Sequence, residues 1–259
     1  MPISHVTWDV YTSLRDYPIS HPDVRAALTA RGPNAGEPED GWRLGHATSW
    51  GRWGPGGNLT APITATSPAL FSDLAPLTTS VVLFAVNWGG RRVPAAPVTW
   101  QNFHTPGHTG DCFLGRSVEE AMDRTGLTAA PYMSDVFKLI PTPTAADLLK
   151  TIRDEELAGR DPVGRCAELL RHELCVCTEA NGGVAPVVVG LGKAAFGWLS
   201  GSQSYHRKRP NPIAEVVGDL LRTDPAKSVL EAPHYTFGAG AGGELVTALS
   251  AAFRQALHR

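Results

Sequence analysis

From Ser80 onward the chain alternates short apolar runs, bounded by Gly and Pro, with amphipathic segments of helical length. That alternation is the strongest constraint on the fold, because short buried strands joined by helical crossovers assemble as a parallel sheet with helices against its faces. Val81-Val82-Leu83-Phe84-Ala85-Val86 is largely β-branched and ends at Asn87-Trp88-Gly89-Gly90, so it reads as a buried strand running into a loop. Tyr132 to Leu139 reads as a second strand, closed by Pro141 and Pro143, Pro186 to Gly192 as a third and Lys227 to Glu231 as a short fourth. Helices are expected at Val118 to Thr125, with Ser117 as N-cap and Glu120 completing a capping box, then at Ala145 to Ala158, Val163 to Glu179 and Gly243 to His258. The expected class is α/β: a three-layer α/β/α sandwich with a short, mostly parallel central sheet.

Residues 1–78 read differently. Gly, Pro and Trp concentrate at Gly41-Trp42 and in Trp50-Gly51-Arg52-Trp53-Gly54-Pro55-Gly56-Gly57, and Pro22 to Arg31 is the one helix expected there. The chain therefore divides into a loop-rich N-terminal extension, 1–78, packed on a core domain, 79–259. With 259 residues, 42% of them hydrophobic, a sizeable core is within reach. No apolar run approaches the ~20 residues that span a bilayer. Met1 to Arg15 has polar residues where a signal peptide needs an apolar stretch, so a cytoplasmic monomer with no membrane partner is expected. Cys112, Cys166, Cys175 and Cys177 lack paired CxxC spacing, which fits reduced, mostly buried thiols and no metal site. A net charge of -2 does not exclude nucleic acid, since a local basic face suffices to neutralise phosphates. Tyr205-His206-Arg207-Lys208-Arg209 is the densest cationic stretch and Arg91-Arg92 a second; each fits a solvated loop or a grip on phosphate.

In open parallel sheets ligands bind beyond the carboxyl ends of the strands. Three segments lie there: Asn87 to Gly90, Asp135 with the loop after it, and His234 to Gly243. In that order they resemble the uracil-DNA glycosylase superfamily, in which a catalytic loop follows the first core strand and a His-containing loop follows the last. Val86-Asn87-Trp88-Gly89 resembles the Asn-Pro-Gly loop of the mismatch-specific and single-strand-selective branches, with Trp88 in place of proline. Cys112-Phe113-Leu114-Gly115-Arg116-Ser117 resembles the Phe-Val-Gly-Lys stretch of the bacterial thermophile branch. Tyr132-Met133-Ser134-Asp135-Val136-Phe137-Lys138 is similar to that branch's Tyr-Ile-Thr-Asn-Val-Val-Lys, which puts Asp135 at the place of the base-reading Asn. Val188 to Ala195 is similar to the family's Val-Ala-Leu-Gly-x-x-Ala segment, and Pro233-His234-Tyr235-Thr236 to its His-Pro-Ser loop. The resemblance covers roughly the last 180 residues, a length suited to one domain. The thermophile branch's cluster cysteines have no counterparts, so no iron–sulfur cluster or other cofactor is implied.

Hydrolysis of an N-glycosidic bond leaves positive charge on the sugar and negative charge on the departing base, and so needs a placed water and donors facing the base. The target atom is inaccessible inside a duplex, so the nucleotide is flipped into a pocket or bound single-stranded. The resemblance gives Asn87 the water, oriented by its carboxamide oxygen and adjacent carbonyls; by itself, an Asn before Gly89-Gly90 equally fits a turn. It gives His234 a hydrogen bond to the oxygen of the leaving base, where a lone His after a strand is otherwise more often structural. Phe113 is expected to stack on the flipped base, with Phe103 as competitor and plain core as the alternative for both, and Trp88 is the other base-binding candidate. His104 or Asp111 would supply a general base if one is needed. Arg91, Arg92, Tyr205, Arg207, Lys208 and Arg209 are expected on the DNA backbone. Gly240, in the run that opens the last helix, fits a bound phosphate or a flexible turn. No lysine stands at the catalytic loop, which argues against a Schiff-base lyase step.

Asp135 is the informative departure. An ionised carboxylate offers only acceptors, so it mismatches uracil O4 and matches the N4 amino group of a cytosine-type base. A modified cytosine, such as glucosylated hydroxymethylcytosine in phage DNA, would spare normal DNA and give the chain a role similar to that of phage-defence glycosylases. Trp42, Trp50 and Trp53 fit stacking on its sugar, or a brace packed across the core. The competing substrate is uracil, read by a protonated Asp135 in base excision repair. The rivals from other classes are a non-catalytic nucleic-acid or nucleotide binding module and an enzyme of free nucleosides.

Overall fold

The computed structural model describes residues 4–19, 41–54, 63–87, 100, 102–104, 108–140, 142, 145–202, 210–235 and 242–259. It is an α/β protein with a five-stranded sheet: β1 (Ser49–Trp50), β2 (Leu77–Asn87), β3 (Ala130–Phe137), β4 (Val187–Leu191) and β5 (Leu230–Ala232), in the order β1-β3-β2-β4-β5. β2 pairs parallel with both β3 and β4, β4 pairs parallel with β5, and β1 lies antiparallel on β3 at one edge. β2 is apolar from Val81 to Val86, where both of its faces are covered. Val81, Leu83 and Ala85 enter one core with Leu114 and Val118 of α4 (Thr109–Thr125) and Leu245 and Leu249 of α10 (Gly242–Leu257). Val82, Phe84 and Val86 enter the other, with Leu170 and Leu174 of α6 (Pro162–Ala180), Trp198 of α7 (Lys193–Ser200) and Ile213 of α8 (Pro212–Leu221). Helices thus cover both faces.

The connections set the position of the site. The segment leaving β2 enters α4 on one face, whereas the segment leaving β4 enters α7 on the other. Where neighbouring parallel strands send their chains to opposite faces, a crevice opens beyond their carboxyl ends. Here that place is flanked by Asn87, which ends β2, and Gly192, which follows β4.

α4 begins at Thr109, not at Val118 as expected from the sequence. Its N-cap is His108, whose side chain accepts from the Asp111 amide, and Ser117 is a buried residue inside it, not a cap. Gly115 within the helix is needed for contact, since a Cβ there would sit 2.8 Å from the Trp53 ring. The fourth strand is Leu230–Ala232, because Asp224 caps a short helix, α9 (Pro225–Ser228), where the sequence pointed to a strand. α7 and α8, for which the sequence carried no helix expectation, occupy most of the remaining span between β4 and β5; Asn211 caps α8 with Pro212 in its first turn. α5 (Ala145–Leu157) and α6 lie where the sequence placed them.

The described part of the N-terminal region holds more secondary structure than its composition implied. α1 (Trp8–Arg15) is capped by Thr7 and buries Tyr11 and Leu14, while α2 (Leu44–Ala47) leads into β1 and α3 (Pro68–Ser72) precedes β2. Trp42, Trp50 and Trp100 are buried in the core. That burial makes Trp42 and Trp50 braces, while Trp53, like Trp8 of α1, is partly exposed. The expected helix at Pro22 to Arg31 lies outside the described residues. Among the described residues, no helix is long and apolar enough to cross a membrane, and all four cysteines are free thiols.

Candidate active site

Asn87 closes the central strand, opposite Phe137 of β3. Its Nδ2 donates to Thr142 O at 2.6 Å and to Thr142 Oγ1 at 2.8 Å, which fixes the plane of the carboxamide and turns its oxygen away from Thr142. Thr142 is buried in the segment that follows β3, so that segment anchors Asn87.

His234 follows β5. Its ring lies over the end of β4, where Gly192, at φ 90°, leaves the space: a Cβ there would meet His234 Cβ and Cδ2 at 2.9 Å. The imidazole stacks on Tyr235, centroids 4.7 Å apart, and its pKa is lowered by burial, which keeps the ring neutral near pH 7. Tyr235 in turn meets Phe103 edge-on at 6.3 Å, and burial with the nearby Asp135 and Asp111 carboxylates pushes its phenol well up.

Asp135 sits opposite Ala85 in the β2–β3 ladder and is 1% exposed. Asn102 Nδ2 donates to its Oδ2 at 2.8 Å, while its Oδ1 is buried and meets no hydrogen-bond donor among the described residues. Burial pushes the carboxyl up to about 7, against the opposing pull of the Asn102 hydrogen bond and the Lys138 ammonium. Lys138 Nζ also donates to Asp135 O at 2.5 Å and pairs with Glu173 at 2.5 Å, where both side chains are fully buried. Tyr132 and Ser134 hydroxyls complete the shell of Glu173 at 3.0 and 2.5 Å.

Asn102 is the residue that sequence reasoning missed. Its amide group divides between Asp135 and Ala47 O, at 2.7 Å, while its oxygen accepts from the Phe103 amide. Phe103 takes a left-handed conformation, φ 66°, in a turn that also holds Trp100 at φ 53°. Non-glycine residues pay ~1–3 kcal/mol for such backbone, and it persists where surrounding contacts over-determine it. Trp53 Nε1 to Phe103 O and Ser49 Oγ to Trp100 O are two of those contacts. Nothing in the spacing of Trp100 to His104 marks this turn, which is defined by partners far away in the chain.

The two general-base candidates separate. His104 is buried with Nε2 against Trp50 O, and burial lowers its pKa to about 4, so it is a structural ring and a poor base. Asp111 is buried in the first turn of α4 with its Oδ1 2.8 Å from His108 Nδ1. Phe113 lies two residues further along α4, packed against the same core as Phe103. Phe103 is the more buried of the two and the one in contact with Tyr235. Trp88, Arg91, Arg92, Tyr205, Arg207, Lys208, Arg209 and Gly240 lie outside the described residues. A groove between α6 and α8, crossed by the Arg171–Asp219 ion pair, is lined by none of the site residues. No family model, curated protein or solved structure matches the chain.

Proposed function

We propose that the chain is a monofunctional DNA glycosylase that hydrolyses the N-glycosidic bond of a flipped-out, non-standard pyrimidine and leaves an abasic site. One observation carries the reading: a held carboxamide (Asn87), a neutral imidazole (His234) and a buried carboxyl with one oxygen unpartnered among the described residues (Asp135) belong to the carboxyl halves of the parallel strands, or the residues just after them, around the point where the connections change face. Their order along the chain is that of the superfamily the sequence resembles.

In this reading Asn87 orients a water against the anomeric carbon. The water oxygen bonds to that carbon as the carbon–nitrogen bond breaks, the bonding electrons leave with the base, and the water's proton passes to solvent. His234, neutral through burial, donates a hydrogen bond to the base oxygen on which negative charge develops, stabilising the departing anion. Trp88 and Phe113 supply aromatic faces to the flipped base, while Arg91, Arg92, Tyr205, Arg207, Lys208, Arg209 and the amides around Gly240 hold the phosphates. No step passes through a metal or organic cofactor. The protein acts on DNA in the cytoplasm as a monomer.

Asp135 selects the base. Ionised, its Oδ1 accepts from the N4 amino group of a cytosine-type base, and a glucosylated hydroxymethylcytosine would make the activity an antiphage defence. A second reading is favoured by the carboxyl's pKa of about 7: the protonated acid donates to uracil O4, and the enzyme is then a uracil-DNA glycosylase of repair. The deciding experiment is an abasic-site assay on DNA carrying uracil, cytosine, hydroxymethylcytosine or its glucosylated form. Cleavage confined to a modified cytosine is the expected result; cleavage at uracil selects the second reading, and no cleavage of any substrate leaves a binding module.

A further inference from the structure

Asp135 is immobilised from two sides. Lys138 bonds its main-chain carbonyl and Asn102 holds Oδ2 of the side chain, while Oδ1 is left without a partner among the described residues. A buried, unsatisfied polar oxygen costs stability, ~1–3 kcal/mol and more when charged, and in a native protein it calls for an explanation. Asn102 is itself fixed at three points, by Ala47 O, by the Phe103 amide and by Asp135, in a turn whose strained backbone those contacts maintain.

We propose that Asn102 is the positioning residue of base selection: by occupying Oδ2 it presents Oδ1 of Asp135 as the single reading atom, matched to a pyrimidine with an exocyclic amino donor. The inference rests on the glycosylase reading for its ligand and deepens it, since the reader becomes a pair of side chains. Oδ1 is closed to water, so a base reaches it by displacing the packing around it. Ionised, Oδ1 accepts from the amino group; protonated, it donates to a carbonyl, so one atom distinguishes the two bases by its proton. The groups that set the balance are Asn102 and Lys138, which favour the ion, and Glu173 and Asp111, which oppose it, with Tyr235 also near. Loss of the Asn102 hydrogen bond removes support from the ionised form, so protonation moves to higher pH.

The test uses the full chain and measures affinity for duplexes carrying a hydrolysis-resistant, 2′-fluorinated nucleotide of either a cytosine-type base or uracil, from about pH 5.5 to about pH 8.5. In the wild type the ratio of the two affinities is expected to rise about tenfold in favour of the amino-bearing base as pH passes through 7, the size of one charge-assisted hydrogen bond. Asn102→Ala should move that rise to higher pH. Asp135→Asn, which keeps the shape and removes the titration, should abolish it, and it supplies the comparison if Asn102→Ala does not fold. A structural role for Asn102 would weaken both affinities together with the midpoint unmoved, and that result overturns the inference, as does a wild-type ratio flat with pH or no binding to either duplex. The abasic-site assay on cleavable DNA separates the two levels: a shifted ratio without cleavage sinks the glycosylase reading and leaves the Asn102–Asp135 reader standing.

Discussion

Asp135 makes stability depend on pH in a direction opposite to that of most carboxylates. Its pKa rises from 3.8 in a water-exposed reference to about 7 in the fold, chiefly because burial penalises the charge. Between those values the folded state binds more protons than the unfolded chain, so this residue's contribution is fully present at low pH and is lost as pH rises through 7. Asp135→Asn is therefore expected to unfold at a higher temperature than wild type near about pH 8 and to lose part of the wild type's decline between about pH 5 and pH 8. Parallel melting curves at the two pH values check it, and equal slopes for both proteins would show that the carboxyl is not buried as described. Asn87 offers a kinetic counterpart. Its carboxamide is held by Thr142, so Asn87→Ala should lower turnover by about a hundredfold, the loss typical of a misplaced reactant, while DNA affinity stays near wild type. Thr142→Val removes one of the two anchors and leaves the carbonyl, so a smaller fall is expected. Single-turnover kinetics beside binding titrations separate these outcomes, and a joint loss of binding and turnover would make Asn87 structural.

At the scale of elements, close crossings carry the argument. A Cβ on Gly190 of β4 would lie 2.6 Å from Phe196 N and 2.7 Å from Phe196 Cα, both backbone atoms of α7. Neither neighbour can rotate away, so Gly190→Ala should destabilise by about 3 kcal/mol or more, because relief requires lifting the helix off the sheet. Gly243→Ala is the control: a Cβ there meets nothing within 4 Å, and the substitution should be neutral or stabilise by about 0.5 kcal/mol. Urea titrations of both variants test the pair, and similar midpoints would remove the crowding argument. These crossings also explain what the sequence revealed. β2 and β4 were legible because burial on both faces favours an apolar run, and β3 because its buried residues, polar Ser134 and Asp135 apart, are apolar or aromatic and end before Pro141. The first half of α4 was not, because Gly110 and Gly115 lower helix propensity and only the Trp53 contact accounts for Gly115. Asn87 and His234 could be picked out by their places at or after strand ends, and Asp135, inside β3, by the family resemblance of the stretch from Tyr132 to Lys138. Asn102 could not, since its meaning comes from Ala47 and Asp135, contacts that no local periodicity records.

For the molecule as a whole, the N-terminal region supports the turn that holds Asp135. Val6 N donates to Leu77 O and His5 bridges Thr78, so the first described residues join the start of the central strand. Tyr11, fully buried, donates its hydroxyl to Ile63 O and accepts from the Ala65 amide, tying α1 to the segment before β2. More directly, Ala47 O anchors Asn102, Trp50 O meets His104 and Trp53 Nε1 holds Phe103 O, so three supports of the strained turn come from residues 47–53. A chain starting at Thr79 would lose all of these together with Tyr11, Leu14, Trp42, Leu44 and Trp50 from the core. Each large aromatic or Leu removed from a core costs about 2–5 kcal/mol, and domains of ordinary size are stable by only about 5–15 kcal/mol. The shortened chain is accordingly expected to keep far-ultraviolet helical signal but lose near-ultraviolet signal and a cooperative melt, and to bind no base selectively. A cooperative transition in that chain, with base preference intact, would instead show that the N-terminal region only covers a site the sheet builds unaided.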